Sequence, residues 1–445
     1  MNTPIYDFVK NYISSDTARF HMPGHKGAPF IGCEAFDITE IGGADVLYSP
    51  NSIIAESENN ATALFGSAHS FYSTEGSSLA IRAMLALAKG TSDKKQPLIL
   101  AARNAHKTFI CACALLDLRV EWLCPETQSH VCGCDIPPNV LQKRLSEMKE
   151  KPDAVYITSP DYLGNIADVG GLAEVCDSFG VPLLVDNAHG AYLRFLPVSI
   201  HPIDLGATAC CDSAHKTLPV LTGGAYLHIA KKAPREYTEN ARKCLSLFAS
   251  TSPSYLILQS LDLCNAYLDG NYRAKLAACI HKAQSARAHA KKIGFFTLDT
   301  EPLKIVFDAK KSGYLGDGLA ELLKKQGIEC EMSDPDYIVL MVTPETRDSD
   351  FHRLARALEA IGARTHIESP TLTVPSPNAI LTPRQAILAP SETVPLNEAV
   401  GRICGAPTVA CPPAVPIVIS GELIKEEHIK LMKYYGYGSV EVVRS

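Results

Sequence analysis

The chain has 445 residues, more than one ordinary hydrophobic core organises, so a large domain and a smaller one are expected. Hydrophobic residues make up 46% and charged residues 20% of it, as in soluble globular proteins. Its 42 Lys and Arg against 48 Asp and Glu leave a net charge of -6. That mild acidity gives no reason to expect a nucleic-acid or anionic-membrane partner.

The N-terminus lacks the basic start and the long apolar run of a signal peptide. No apolar stretch reaches the roughly 20 residues that span a bilayer, so no membrane partner is expected. Fifteen cysteines without an export signal predict reduced thiols and a cytoplasmic protein. None of their spacings matches a four-ligand zinc site, so we expect no metal.

Short apolar runs alternate with amphipathic stretches in the first half of the chain. The predicted helices there are 77–88, 139–150 and 172–179, and the predicted strands are 97–101, 154–159, 181–186 and 207–211. Apolar strands separated by helices indicate an α/β fold whose mainly parallel sheet is covered on both faces.

A mostly helical region, 236–292, separates this pattern from a second one. The second pattern predicts strands at 304–308 and 337–343, helices at 316–326 and 349–361, and a loop with one short helix at 369–395. We therefore predict an N-terminal segment (1–60), a large domain (61–295) and a smaller C-terminal α/β domain (296–445).

Two segments carry polar residues where a ligand could bind. Residues 72–78 lead into the first predicted helix, and Gly76, Ser77 and Ser78 at a helix start suit an anion, although an ordinary capped helix explains this segment better when it is taken alone. Asp186 ends a predicted strand, where ligands of such sheets bind. Its carboxylate could pair with a protonated pyridine nitrogen, or simply cap the next turn.

Two further segments follow predicted strands. Lys216 comes after strand 207–211, and an amine in a largely apolar site becomes a usable nucleophile. Its neighbours Ser213 and His215 could contact a phosphate. His106 follows strand 97–101 and could lie flat over a planar ring. A surface lysine and a solvated histidine are the plainer explanations of each segment alone.

Taken together, the order of these four segments resembles the layout of a fold-type-I pyridoxal-phosphate (PLP) domain, the aspartate-aminotransferase-like fold. Ser-Ala-His-Lys-Thr-Leu at 213–218 resembles the S-x-H-K motif of the ornithine/lysine/arginine decarboxylases. Phe-His-Met-Pro-Gly-His-Lys-Gly at 20–27 resembles the N-terminal block of that family. Further similar stretches lie at 37–40, 43–47, 56–67 and 412–416, so the resemblance covers nearly the whole chain. Glu75 and Ala414 depart from the family's pattern.

The resemblance implies that PLP is the cofactor and that Lys216 forms its Schiff base. It also implies that Asp186 pairs with the ring nitrogen, that Ala188 packs on one face of the ring and that His106 stacks on the other. The cofactor-binding residues it implies are Gly76, Ser77, Ser78, His106, Asp186, Ala188, His189, Ser213, His215 and Lys216. Of these, Lys216, Asp186, His106 and His215 are expected to take part in catalysis, with Lys216 or His215 returning a proton.

The implied reaction is the decarboxylation of lysine, arginine or ornithine to the amine, with release of CO₂, in a homodimer whose sites lie at the interface. The N-terminal segment is then expected to close over the site, and Asp45 and Glu56, with His21 and His25, are its candidate substrate residues. Pro23 and Gly24 argue against a metal-binding helix at 21–25. An aminotransferase, an aldolase, a carbon–sulfur lyase or a catalytically silent PLP-fold protein remain alternatives.

Overall fold

The structure is a computed structural model that describes residues 1–125, 130–369, 374–407 and 415–444. It has two compact units. Unit 1 comprises Met1–Asp93, Asp153–Tyr156 and Val169–Arg273, and unit 2 comprises Lys94–Pro152, Ile157–Asp168 and Ala274–Ser445. Each domain range predicted from the sequence is continuous in the chain, whereas each of the two units combines several separate stretches. The predicted domain ranges stay a prediction.

Helices and strands alternate through most of the first 230 residues, and further helices follow up to residue 434. The helices are α1 (Pro4–Ser14), α2 (Ile53–Phe65), α3 (Gly76–Gly90), α4 (Lys107–Leu116), α5 (Pro138–Glu147), α6 (Val169–Phe179), α7 (Ala214–Thr217), α8 (Arg235–Ser246), α9 (Tyr255–Asp269), α10 (Tyr272–Lys292), α11 (Gly316–Lys325), α12 (Asp348–Ile361), α13 (Pro383–Ile387) and α14 (Glu426–Tyr434). No helix of the described ranges is long and apolar enough to cross a membrane.

The strands are short and mostly buried. They are β1 (His69–Ser73), β2 (Leu98–Ala102), β3 (Arg119–Leu123), β4 (Ala154–Thr158), β5 (Leu183–Asp186), β6 (Ala209–Asp212), β7 (Ala225–Ile229), β8 (Phe296–Thr297), β9 (Lys304–Asp308), β10 (Met332–Ser333), β11 (Tyr337–Met341), β12 (Ser391–Pro395) and β13 (Ser439–Val443).

The central sheet is mainly parallel, which confirms the predicted α/β class. In unit 1 its strand order is β1-β7-β6-β5-β4, with β5 parallel to β6 and β7 antiparallel to both of its neighbours. In unit 2 the order is β4-β2-β3, with β2 parallel to β3. Every residue of β2, β5 and β6 is buried, as expected of strands covered on both faces.

Unit 2 also holds two antiparallel sheets. Strands β10, β11, β9 and β8 form one in that order, and β12 pairs with β13 in the other. Within the stretch 369–395 the structure has the expected short helix, α13, and also the unexpected strand β12. That strand has a mostly exposed pattern, which hides it from a search for apolar runs. Residues 370–373 of this stretch, and 412–414 of the similar segment near the C-terminus, lie outside the described residues.

Candidate active site

Strands β5 and β6 bring an acid and an amine to the same edge of the sheet. The two strands are parallel, and Asp186, the last residue of β5, lies opposite Cys211 in β6. Lys216 follows β6 in the short helix α7. Because the carboxyl ends of parallel strands share one edge, both side chains belong to the edge where ligands of α/β sheets bind.

The Asp186 carboxylate is buried, and its side chain has neutral partners. It accepts hydrogen bonds from the hydroxyl of Tyr156 at 3.2 Å and from the backbone N–H of Ala188 at 3.2 Å. The Cys211 thiol points at it with a sulfur–oxygen distance of 3.6 Å. A buried carboxylate is stable as an anion only with a cationic or strongly donating partner. With these neutral partners around it, the Asp186 carboxylate therefore suits a pairing with a protonated ring nitrogen.

The Lys216 amine contacts the turn that follows β5. Its Nζ atom lies 3.1 Å from Nε2 of His189, three residues after Asp186. The lysine is half-buried and His189 is buried. If the amine donates in this contact, Nε2 of His189 is the acceptor and the ring proton lies on Nδ1.

Helix α3 offers an anion site at its N-terminus. The helix begins at Gly76, whose φ of 70° lies in the left-handed region, and a Cβ there would meet no atom within 4 Å. Ser213 donates from its hydroxyl to the hydroxyl oxygen of Ser77 at 2.7 Å. Open space, two hydroxyls and the positive end of a 15-residue helix fit a phosphate group.

Two hydrogen bonds narrow down which groups at this helix start could bind a phosphate. The N–H of Gly76 already donates to the carbonyl of Gly223 at 2.7 Å, so Gly76 contributes its conformation rather than a free donor. Glu75, the residue that departs from the family pattern, accepts the backbone N–H of Ser250 at 2.7 Å. This contact accounts for its carboxylate without a role as a phosphate ligand.

The surroundings of His215 favour its neutral form. Its Nδ1 donates to the carbonyl of Gly224 at 3.0 Å, and burial lowers its pKa, with a smaller effect from the charge of Lys216. A neutral ring with the proton on Nδ1 leaves Nε2 as an acceptor. His215 therefore suits proton transfer better than direct donation to a phosphate.

Nine of the ten predicted cofactor-binding residues lie in unit 1: Gly76, Ser77, Ser78, Asp186, Ala188, His189, Ser213, His215 and Lys216. His106 lies in unit 2, where it caps α4 by accepting the backbone N–H of Thr108 on Nδ1 at 3.1 Å. Its stacking on a ring stays a prediction, as do the individual roles of the other nine.

The N-terminal candidates have partners of their own. His21 contacts the hydroxyl of Tyr12 at 2.6 Å, and His25 contacts Asp37 at 3.2 Å. Residues 21–25 are not helical, as Pro23 and Gly24 predict. Glu56 is exposed and accepts from Asn2. The role of these side chains toward a substrate stays a prediction.

Asp45 has a structural role that its sequence did not reveal. Its carboxylate accepts four backbone N–H groups, those of Val46, Asn51, Ser52 and Ile54. Burial opposes ionisation of this group, but the four hydrogen bonds outweigh it and lower its pKa. Asp45 therefore closes the loop before α2, and a contact with substrate would have to compete with these bonds.

Two residues beside Asp186 were missed by the sequence reasoning. Tyr156 lies in the middle of β4, and Cys211 lies near the end of β6. In the sequence both are ordinary members of apolar strands, so no local signal distinguishes them. Their contacts with Asp186 arise from strand neighbourhood in the folded sheet.

An α/β sheet with a lysine and an aspartate at adjacent strand ends, beside a helix N-terminus, is the arrangement expected of the fold-type-I class of PLP-dependent proteins. Two family models match the chain: "Orn/Lys/Arg decarboxylase, major domain" over residues 3–306 and "Orn/Lys/Arg decarboxylase, C-terminal domain" over residues 370–438. The chain therefore belongs to the Orn/Lys/Arg decarboxylase family and is a PLP-dependent amino acid decarboxylase.

Individual relatives agree with this family. The chain is 32% identical to the arginine decarboxylase of Bacillus subtilis, over 96% of this chain and 92% of that protein. It is 31% identical to the arginine decarboxylase of Halalkalibacterium halodurans, over 97% and 93%. Its fold is similar to the solved structure of the Escherichia coli constitutive lysine decarboxylase, with a TM-score of 0.79 and 18% identity over 100% of this chain and 82% of that chain.

Proposed function

We propose that this protein decarboxylates a basic amino acid to the corresponding amine, and that arginine is its first-choice substrate. The observation that carries the proposal is the meeting of Lys216 and the Asp186 turn at one sheet edge. Arginine is favoured over lysine and ornithine because the relatives at 32% and 31% identity are named arginine decarboxylases.

PLP, when bound, supplies a ring that accepts the electron pair of the broken bond between Cα and the carboxylate. Lys216 would hold the cofactor covalently through Nζ. Asp186 would keep a proton on the ring nitrogen, and its burial strengthens that interaction. Ser77, Ser78 and Ser213 would bind the phosphate.

The ring faces would be covered by side chains from two segments. Ala188, whose N–H already donates to Asp186, would pack on one face, and His106 would stack on the other. Side chains in these positions would help to fix the direction of the substrate carboxylate and to keep water from the bond that breaks.

One proton must reach Cα after CO₂ has left. Burial lowers the pKa of His215, so this ring is mostly unprotonated near neutral pH and is a poor acid. We therefore assign the proton donor to Lys216 and leave His215 to accept or relay one.

We further propose a cytoplasmic homodimer in which the N-terminal segment, with His21, His25 and Glu56, approaches the distal end of the substrate. The exposed carboxylate of Glu56 fits a guanidinium group, and a bidentate pair would select arginine over lysine.

The experiment is a product screen of the PLP-loaded protein by mass spectrometry. Arginine, lysine and ornithine are supplied separately, and both the amine and CO₂ are measured. The expected result is agmatine with equimolar CO₂ from arginine. Keto acid or aldehyde products would replace the proposal by an aminotransferase or aldolase activity, and no turnover of any amino acid would favour a silent PLP-fold protein.

A further inference from the structure

A buried polar cluster joins the two turns that carry Asp186 and Lys216. Asp212, the last residue of β6, accepts hydrogen bonds on Oδ2 from His201 at 3.0 Å and from His228 at 3.1 Å. On Oδ1 it accepts the side-chain N–H of Asn187 at 2.6 Å. All four residues are fully buried, and we call them the Asp212 cluster.

The cluster holds an ionised carboxylate away from water. Burial alone would raise the pKa of Asp212, but His201 and His228 outweigh that effect and lower the pKa. Burial in turn lowers the pKa of His228, against the attraction of Asp212. Replacing buried ionic groups by apolar ones often leaves stability unchanged or improved, so stability alone gives no reason to keep this arrangement.

The cluster is connected to both turns, because its residues are close neighbours of Asp186 and Lys216 in the chain. Asn187 follows Asp186 directly, and its backbone N–H also donates to the carbonyl of Cys211 at 3.0 Å. Asp212 is followed directly by the segment that carries Lys216. In that segment the backbone N–H of Lys216 donates to the carbonyl of Ser213 at 3.0 Å. Two hydrogen bonds from Asn187 thus tie the acid-bearing turn to the strand that leads into the lysine.

The position of the Asn187 side chain is closely restricted. A Cβ on Gly190 would lie 1.9 Å from Oδ1 of Asn187, so only glycine leaves room for this amide. The N–H of Gly190 donates to the carbonyl of Asn187 at 2.8 Å, which closes the turn. The amide is therefore locked between Gly190 and Asp212.

We propose that Asp212 is a positioning residue that sets the location of Asp186 relative to Lys216 and so tunes how PLP is held between them. Asp212 acts through Asn187, and the two histidines hold its carboxylate in one orientation. This inference rests on the proposed roles of Asp186 and Lys216.

The test compares Asp212→Asn with Asp262→Asn. Asp262 is also a fully buried carboxylate of unit 1; it binds Ser57 and the N–H groups of Ile5 and Tyr6. Both changes remove one buried charge without changing side-chain volume. PLP affinity, the visible absorbance spectrum of the bound cofactor, kcat and KM are measured for each variant and for the unsubstituted protein.

For Asp212→Asn we expect a shifted spectrum, PLP binding weakened roughly tenfold, and kcat lowered roughly tenfold to a hundredfold with little change in KM, as for partners that orient ligand-holding groups. Asp262→Asn should leave spectrum and kcat unchanged, whatever its effect on melting temperature. If both variants match the unsubstituted protein in spectrum and kcat, Asp212 is structural only and the inference is wrong.

A second variant covers the case in which Asp212→Asn does not fold. His201→Gln keeps an N–H near the position of Nε2 but removes the imidazole, and we expect a smaller shift of the spectrum in the same direction; an unchanged spectrum would overturn the inference. A protein that shows no lysine-bound cofactor band before any substitution would instead refute the proposed function.

Discussion

The Nζ atom of Lys216 lies 3.1 Å from Nε2 of His189, which belongs to the turn beginning at Asp186. The lysine and the aspartate are 30 positions apart in sequence (216 minus 186), yet one hydrogen bond connects the lysine to the segment of the aspartate. The amine is thereby held beside the turn that begins at Asp186, and such preorganisation lowers the conformational entropy lost on binding.

Substitution of Lys216 by alanine tests the covalent role of its amine. We expect the visible absorbance of the lysine-bound cofactor to disappear, because the amine that would carry that bond is removed. The exposed Lys231, changed to alanine, is the control and should keep the band. An unchanged visible spectrum in the Lys216 variant would remove this lysine from the mechanism.

Replacing Asp186 by asparagine tests the charge opposite the ring nitrogen. The variant should still bind PLP, since volume and the contact with Tyr156 can be kept. We expect kcat to fall by about 10²–10³-fold, the range for losing one preorganised electrostatic contact. Steady-state kinetics with the preferred amino acid measures it. Turnover within a factor of two of the starting protein would contradict the role given to Asp186.

Alanine at Gly190 should disturb the acid-bearing turn without touching a reacting group. The added Cβ would overlap Oδ1 of Asn187 and press on Leu193, so we expect a loss of about 1–3 kcal/mol in the free energy of unfolding. PLP affinity should fall with it. Denaturant titration and cofactor titration measure the two effects.

Gly90 provides the matched control for that substitution. It is the last residue of α3, and a Cβ there would meet no atom within 4 Å. Alanine at this position should leave PLP affinity unchanged and stabilise the helix by roughly 0.5–1 kcal/mol. Equal PLP affinities for the two variants would show that the Gly190 turn does not shape the site.

The buried His428 predicts how stability changes with pH. Burial, with help from the charges of Arg103 and Lys425, lowers its pKa from 6.5 to about 4. Between pH 6.5 and about 4, His428 is therefore mostly protonated in the unfolded chain and mostly neutral in the folded chain. The stability that this residue contributes is complete above pH 6.5 and is lost as the pH falls toward 4.

Glutamine at position 428 removes this titration while an amide oxygen can still accept the N–H of Lys425, as Nδ1 does at 3.0 Å. The melting temperature of the variant should fall less steeply between pH 6.5 and 4 than that of the starting protein. His352 is exposed, and its change to glutamine should leave the slope unaltered. Parallel slopes for all three proteins would refute the prediction.

Local patterns were enough to predict the framework of the site. The strands ending at Asp186 and before Lys216, and the helix after Gly76, are each marked by a continuous apolar run or a 3.6-residue period, which depends only on neighbours in the chain. The strands β1 and β7 were not predicted. Polar residues such as Ser70 and His228 interrupt their apolar patterns, although each is buried within the fold.

The sequence by itself determined the α/β class and the residue types at the strand ends, because side-chain chemistry and strand periodicity depend only on residues that are close in the chain. Only the tertiary structure decided which groups surround Asp186. The hydroxyl of Tyr156 and the thiol of Cys211 contact it from neighbouring strands, and Asp212 contacts the adjacent Asn187. Such pairings depend on how the whole sheet assembles, and no local spacing encodes them.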